Sequence, residues 1–149
     1  FGEVLLLDWG LAKVRSEEGA PSDIDDMSSE SLTEDPTMTG FQKLQGTIAY
    51  MSPEQIKKAP DIDGRTDIYS LGVVLYEALT GVKPSLGDTM DKIKASTLND
   101  IPIIPSEIST TPISQVLDDI VMQCLAKDAN KRMQSIGELI RLLKEGLGV

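Results

Sequence analysis

The sequence predicts a mainly α fold with one short N-terminal strand, a long irregular loop and about four to five helices, and three observations carry this reading. Apolar residues recur twice at helical spacing in the C-terminal part: Val116, Ile120, Val121, Cys124 and Leu125 form one stripe, and Ile136, Leu139, Ile140 and Leu143 another. The run from Ile68 to Leu79 is apolar on nearly every side, the pattern of a helix in the middle of a domain. A single segment, Glu3-Val4-Leu5-Leu6-Leu7-Asp8, reads as a buried strand.

That strand ends in the turn Asp8-Trp9-Gly10. Residues 16–35 then hold Glu17, Glu18, Asp23, Asp25, Asp26, Glu30, Glu34 and Asp35 with no Lys or Arg, in a Ser-rich stretch without aromatics. Such a segment buries too little surface to offset its ordering entropy and reads as a mobile loop. Its Asp23-Ile24-Asp25-Asp26 lacks the Gly and distal Glu of a calcium loop, so a solvated turn is the reading there. Thr66 or Asp67 is placed to cap the central helix, which Gly81 and Pro84 stop. A shorter helix is expected over Thr89–Ser96, followed by an irregular loop between Pro102 and Pro112. Ser135 and Glu138 have the spacing of a capping box for the last helix.

Composition excludes several functions. The 149 residues carry 14 Lys+Arg against 24 Asp+Glu, a formal charge of -10, which argues against nucleic acid and anionic membrane surfaces as partners. Eight of those negatives lie in residues 16–35, so the imbalance is local. One cysteine, Cys124, makes no intrachain disulfide and sits among apolar neighbours, which fits a reducing, cytoplasmic location. The absence of histidine excludes His-based nucleophilic catalysis and His-ligated zinc, leaving carboxylates, lysines or phosphate chemistry. The longest apolar stretch, Leu71 to Leu79, is interrupted by Gly72 and Glu77 and is far shorter than the roughly 18 residues of a bilayer span. The start at Phe1, directly before a strand and without a signal-peptide pattern, leads us to expect a fragment of a larger domain.

Taken alone, Asp8-Trp9-Gly10 is either a plain turn or a carboxylate poised to hold a divalent cation against phosphates. Three further blocks decide the reading: Gly46-Thr47-Ile48-Ala49-Tyr50-Met51-Ser52-Pro53-Glu54-Gln55, the run Asp67 to Gly81, and Lys127-Asp128 through Arg132. With them the chain resembles the eukaryotic-like Ser/Thr protein kinases, particularly their bacterial branch. Asp8-Trp9-Gly10 is similar to the Asp-Phe-Gly motif, Ser52-Pro53-Glu54 to Ala-Pro-Glu, and Lys127 to Arg132 to the Lys-Asp-Pro-x-x-Arg turn. The match runs from Gly2 to about Gly146 and corresponds to the C-terminal part of a kinase large lobe.

The resemblance implies one partial kinase domain over residues 1–149: a metal-binding strand and turn (1–12), an activation loop with an acidic insert (13–45), a substrate-binding strip (46–59) and large-lobe helices (60–149). It implies that Asp8 coordinates Mg2+ bridging the phosphates of ATP, that Gly10 is the hinge of the activation segment, and that Trp9 packs beneath a small-lobe helix. It further implies that Gly46 and Thr47 line the pocket beside the acceptor and favour Ser or Thr there. Glu54 and Arg132 would pair as a buried bidentate bridge, and Asp67 would accept hydrogen bonds from the catalytic loop. Thr37 and Thr39 are candidate phosphorylation sites that would order the loop.

The departures from the family pattern bear on activity. The Gly-rich loop, the strand lysine with its glutamate partner, and the His-Arg-Asp loop are absent, the last necessarily so in a chain without histidine. Ala129 stands where Pro is usual and Met133 where Pro or an aromatic is common. The expectation is therefore a parent kinase that phosphorylates Ser and Thr of protein substrates, and a chain that holds no catalytic base and is inactive alone. The alternative is a non-catalytic kinase-like interaction module with the acidic loop as docking segment. A helical domain of purely structural role leaves the Gly46–Glu54 block unexplained. Part of the Ile68–Leu79 helix is expected to be uncovered, with poor solubility as the result.

Overall fold

The computed structural model describes residues 46–148. The strand ending at Asp8, the turn with Trp9 and Gly10, and the loop with Thr37 and Thr39 lie outside the described residues. Six α-helices and one 3-10 turn lie wholly within them: α1 (Pro53–Ile56), α2 (Arg65–Thr80), α3 (Met90–Asn99), α4 (Pro105–Ile108), α5 (Gln115–Cys124), the 3-10 turn Ala129–Lys131, and α6 (Ile136–Leu147). The described residues contain no strand, so this part of the fold is mainly α. No described helix is long and apolar enough to cross a membrane.

The central helix α2 organises the packing. Its Tyr69, Val73 and Tyr76 are buried with Val121 and Leu125 of the α5 segment. Ile68, one residue earlier, turns to a second cluster with Ile120, Cys124, Met133 and Leu139. Helices α2 and α5 approach so closely at Gly72 that an added Cβ would stand 2.6 Å from the Cβ of Cys124. Burial pushes the Cys124 thiol up to about 12, against the opposing charge of Arg132, so the group packs as a neutral apolar atom. One side of α2 stays open, because Leu71 and Val74 are 37% and 49% exposed.

Several local expectations are corrected. The start of α2 is capped by neither Thr66 nor Asp67; Gly64 is the N-cap and both residues lie in the first turn. Asp63 does the capping work from outside, its Oδ1 accepting from the Arg65 backbone N–H at 3.0 Å while its carboxylate also pairs with the Arg65 guanidinium. Thr66 cannot cap because its hydroxyl is recruited elsewhere, as described below. Helix α3 begins where its cap predicts, after Thr89, whose hydroxyl accepts from Lys92 N, but runs three residues further than expected to Asn99.

The loop from Pro102 to Pro112 is not wholly irregular. One turn, α4, forms there because the buried Asp118 carboxylate accepts from Ser106 N at 3.0 Å, a cap supplied from α5. At α6, Ser135 accepts from Glu138 N, yet Glu138 accepts from Gln134 N, one residue before the position a capping box requires. The complete capping box is Ser52 with Gln55, at α1. Among the predicted stripe residues, Val116, Ile136 and Ile140 are exposed. The core-facing residues of α6 are instead Leu139, Leu142 and Leu143, whose i, i+3, i+4 spacing selects a narrower face.

Candidate functional site

The segment from Gly46 to Glu54 has little regular structure of its own and is held by side chains. Residues 46–48 form one helical turn. Two backbone bonds, Tyr50 N to Thr47 O and Met51 N to Ile48 O, both 3.1 Å, then tighten the chain. Ile48 and Ala49 are buried against Ile93 of α3, which leaves Thr47 exposed and Gly46 half-buried. Apolar anchoring of the consecutive Ile48 and Ala49 thus leaves the Thr47 hydroxyl on the outer side.

Two polar anchors join this strip to α2. Tyr50 donates its hydroxyl to Glu77 Oε2 at 2.5 Å, and Ser70 donates to the Tyr50 carbonyl at 2.9 Å. The hydrogen bond to Glu77, with burial behind it, pushes the Tyr50 phenol up to about 12, so it stays a donor under any ordinary condition.

The far end of the strip is fixed by charge. Arg132 Nη1 and Nη2 meet Glu54 Oε1 and Oε2 at 2.7 and 3.1 Å, a bidentate fork, with side-chain exposures of 0% and 16%. The remaining Arg132 donors go to the carbonyl of Arg65 (Nη1, 2.6 Å) and of Ala126 (Nε, 3.2 Å). Its guanidinium carbon lies 5.1 Å from the centroid of the buried Tyr69 ring. On the other side, Thr66 donates to Glu54 Oε1 at 2.7 Å, and the Thr66 hydroxyl lies 3.2 Å from that of Ser52. With four hydrogen bonds and a carboxylate partner, the buried guanidinium escapes the penalty of an unpaired buried charge.

Burial alone would raise the Glu54 carboxyl, but hydrogen bonds from Arg132 and Thr66 and the Arg132 charge outweigh it and hold the group at about 2. A depressed folded value means that the stabilisation is complete above the ordinary carboxylate value of 4.5 and is lost as pH falls through about 2. The gap in urea midpoint between the wild type and Glu54→Gln is expected to be constant near neutral pH. It should then narrow across that acid window, and a gap that stays constant to the bottom of the window would contradict the pairing.

The structure therefore brings Glu54 and Arg132 together, and sets Gly46 and Thr47 at one edge of the strip. Asp67 is exposed in the first turn of α2, near the positive end of the helix dipole, without a hydrogen bond among the described residues. The described residues contain no group of three or more His, Cys, Asp or Glu able to hold a metal ion. Sequence reasoning missed Ser52, Thr66, Tyr50 and Glu77; of these only the Ser52-x-x-Gln55 box has a local signal.

Beside Gly46 lies a shallow pocket of about 330 Å3, lined by Gly46, Ala49, Lys83, Ser85, Gly87 and Ile93 among others. The connection between α2 and α3 forms its wall and is pinned to α3. Thr97 donates to Ser85 Oγ at 2.8 Å, and Leu86 N donates to Ser96 Oγ at 3.2 Å. An added Cβ at Gly87 would fall 2.8 Å from Ile93 N, so only glycine permits this approach.

Comparison with known proteins places these features. Residues 2–141 match the family model described as the protein kinase domain. The chain is 37% identical over 144 residues to the serine/threonine-protein kinase PknD of Protochlamydia amoebophila, covering 95% of this chain and 14% of that protein. It is 36% identical over 111 residues to the serine/threonine-protein kinase PknB of Mycobacterium leprae, covering 74% of this chain and 18% of that one. Among solved structures it resembles the twitchin kinase region from C. elegans, with a TM-score of 0.51 and 25% identity over 65% of this chain and 17% of that chain. The chain thus spans less than a fifth of the length of these proteins.

Proposed function

The chain belongs to the protein kinase family, among the bacterial-type Ser/Thr kinases, and we propose that the protein carrying it transfers the γ-phosphate of ATP to Ser and Thr hydroxyls of protein substrates. The observation that supports this best is the strip from Gly46 to Glu54, clamped at Tyr50 by Glu77 and at Glu54 by Arg132, with Thr47 exposed beside the buried Ile48. A substrate backbone needs a fixed partner at the acceptor, and positioning of that kind is most of what a phosphoryl-transfer enzyme supplies.

In this reading Gly46 and Thr47 flank the acceptor residue, and Asp67, exposed at the start of α2, receives the catalytic loop. The resemblance of Asp8-Trp9-Gly10 to the Asp-Phe-Gly motif assigns Mg2+ to Asp8 and the activation-segment hinge to Gly10, both outside the described residues. When bound, Mg2+ offsets the charge of the ATP phosphates. Residues 13–45 act as the activation segment, switched at Thr37 and Thr39, and the protein works in the cytoplasm. The 149 residues contain no histidine and hence no His-Arg-Asp loop, the motif whose aspartate serves the family as catalytic base, so in this reading the chain alone is inactive.

The test compares the full-length protein with the 149-residue chain, using Mg-ATP labelled at the γ-phosphate and a generic protein substrate. We expect label on Ser and Thr from the full-length protein only, with Thr37 and Thr39 modified in its active form. Transfer by the chain alone would overturn the account of its missing groups. A full-length protein that transfers nothing yet binds partners through this lobe would be a non-catalytic interaction module.

A further inference from the structure

We propose that the pocket between Gly46 and Lys83 is a substrate subsite for an anionic side chain, a carboxylate or a phosphate, carried close to the acceptor hydroxyl. The proposal rests on the reading that Gly46 and Thr47 flank the acceptor, and it deepens that reading by assigning specificity to a residue outside the strip.

Four observations carry it. First, Lys83 is the one charged residue among the described residues that line the pocket. Its ammonium stands 4.9 Å from the centroid of the Tyr50 ring, and it has no carboxylate partner among the described residues. The neighbouring acids are already engaged: Glu77 accepts from Tyr50, and Asp88 pairs with Lys92 at 2.8 Å. A cation held on an aromatic face and in no ion pair among the described residues is an attractive electrostatic site for an anion.

Second, Ser85 also lines the pocket and is buried. It accepts from Thr97, and its hydroxyl lies beside that of the buried Tyr69. The lining therefore sets a polar hydroxyl in the same pocket as the ammonium.

Third, the fold does not explain the glycine at position 46. Its backbone is not in the left-handed region, and an added Cβ would meet nothing within 4 Å. Its missing side chain keeps the mouth of the pocket clear next to Thr47.

Fourth, the wall that bears Lys83 and Ser85 is pinned to α3 through Ser85, Leu86 and Gly87. A pre-set wall loses little entropy when a ligand arrives.

The test uses the full-length protein and a Ser/Thr peptide series in which each flanking position carries Gln, Asp, Glu, phosphoserine, Lys or Arg. At one position the acidic peptides are expected to exceed the Gln peptide in kcat/KM by roughly tenfold. That ratio should fall toward one in Lys83→Ala, invert in favour of Lys or Arg peptides in Lys83→Glu, and be kept by Lys83→Arg. Preference for phosphoserine over Asp and Glu would mark a substrate primed by earlier phosphorylation, whereas equal preference would mark a carboxylate. A parallel arm measures Kd for the same peptides with Ala in place of the acceptor. Binding of acidic peptides that depends on Lys83, without phosphorylation of any peptide, would uphold the subsite and overturn the phosphotransfer reading. Phosphorylation with no acidic preference, or a preference indifferent to Lys83, would overturn the subsite and leave the kinase reading intact.

Discussion

Glu54→Ala is expected to destabilise the protein by about 3–5 kcal/mol, the range for removing one partner of a buried ion pair. The cost lies less in the lost attraction than in what stays behind: an Arg132 side chain with 0% exposure, two of its contacts gone, and no route to water. Thr66 would lose its acceptor as well. Arg132→Lys keeps the charge but not the planar fork that meets both carboxylate oxygens, so it should recover only part of the stability. Replacing both residues by apolar ones of similar volume should cost less than Glu54→Ala, because no charge is then left unpaired. Urea unfolding of the four proteins checks the ordering, and a Glu54→Ala midpoint equal to that of the wild type would refute the bridge as a structural element.

Substitution at Gly72 should have the second large effect, and here the sign distinguishes two influences. In an ordinary helix interior Gly→Ala gains up to about 1 kcal/mol from propensity. At Gly72 the new Cβ would meet the Cβ of Cys124 at 2.6 Å and its backbone carbon at 3.4 Å, atoms that cannot swing aside. Forcing α2 and α5 apart costs roughly 1–3 kcal/mol, so Gly72→Ala should lower stability and Gly72→Val lower it further. Gly137 in α6 is the control: an added Cβ there meets only Ser135 Oγ, at 3.9 Å, so Gly137→Ala should raise stability. If both alanines shift the melting temperature upward, the close crossing of α2 and α5 is refuted.

What the sequence could disclose depended on the range of the interaction. Helices α5 and α6 were legible because burial imposes a period of 3.6, yet a period marks a direction and not a width, and Val116, Ile136 and Ile140 fell just beyond the covered face. Thr66 carries every local sign of a helix cap, a hydroxyl residue before an apolar run. Its hydroxyl is claimed by Glu54, 12 positions earlier, a contact that no window on the sequence contains. Helix α4 escaped notice for the same reason, since the carboxylate that caps it belongs to Asp118, 12 positions on. Glu54 and Arg132 were paired through family resemblance, because nothing in the 78 positions between them announces the contact. The Lys83 pocket draws on the strip, the α2–α3 connection and α3 together, so it exists only once all three have met.

The distance between Glu54 and Arg132 also sets a timetable for synthesis. Chains leave the ribosome at about 5–20 residues per second, so the 78 positions that separate the partners represent roughly 4 to 16 seconds of elongation. During that interval α1, four residues long, has its own capping box but no guanidinium to hold its carboxylate, and a helix that short does not persist alone. The strip therefore emerges before its anchors, with Ile48 and Ala49 uncovered until α3 follows and Glu54 unpaired until Arg132 does.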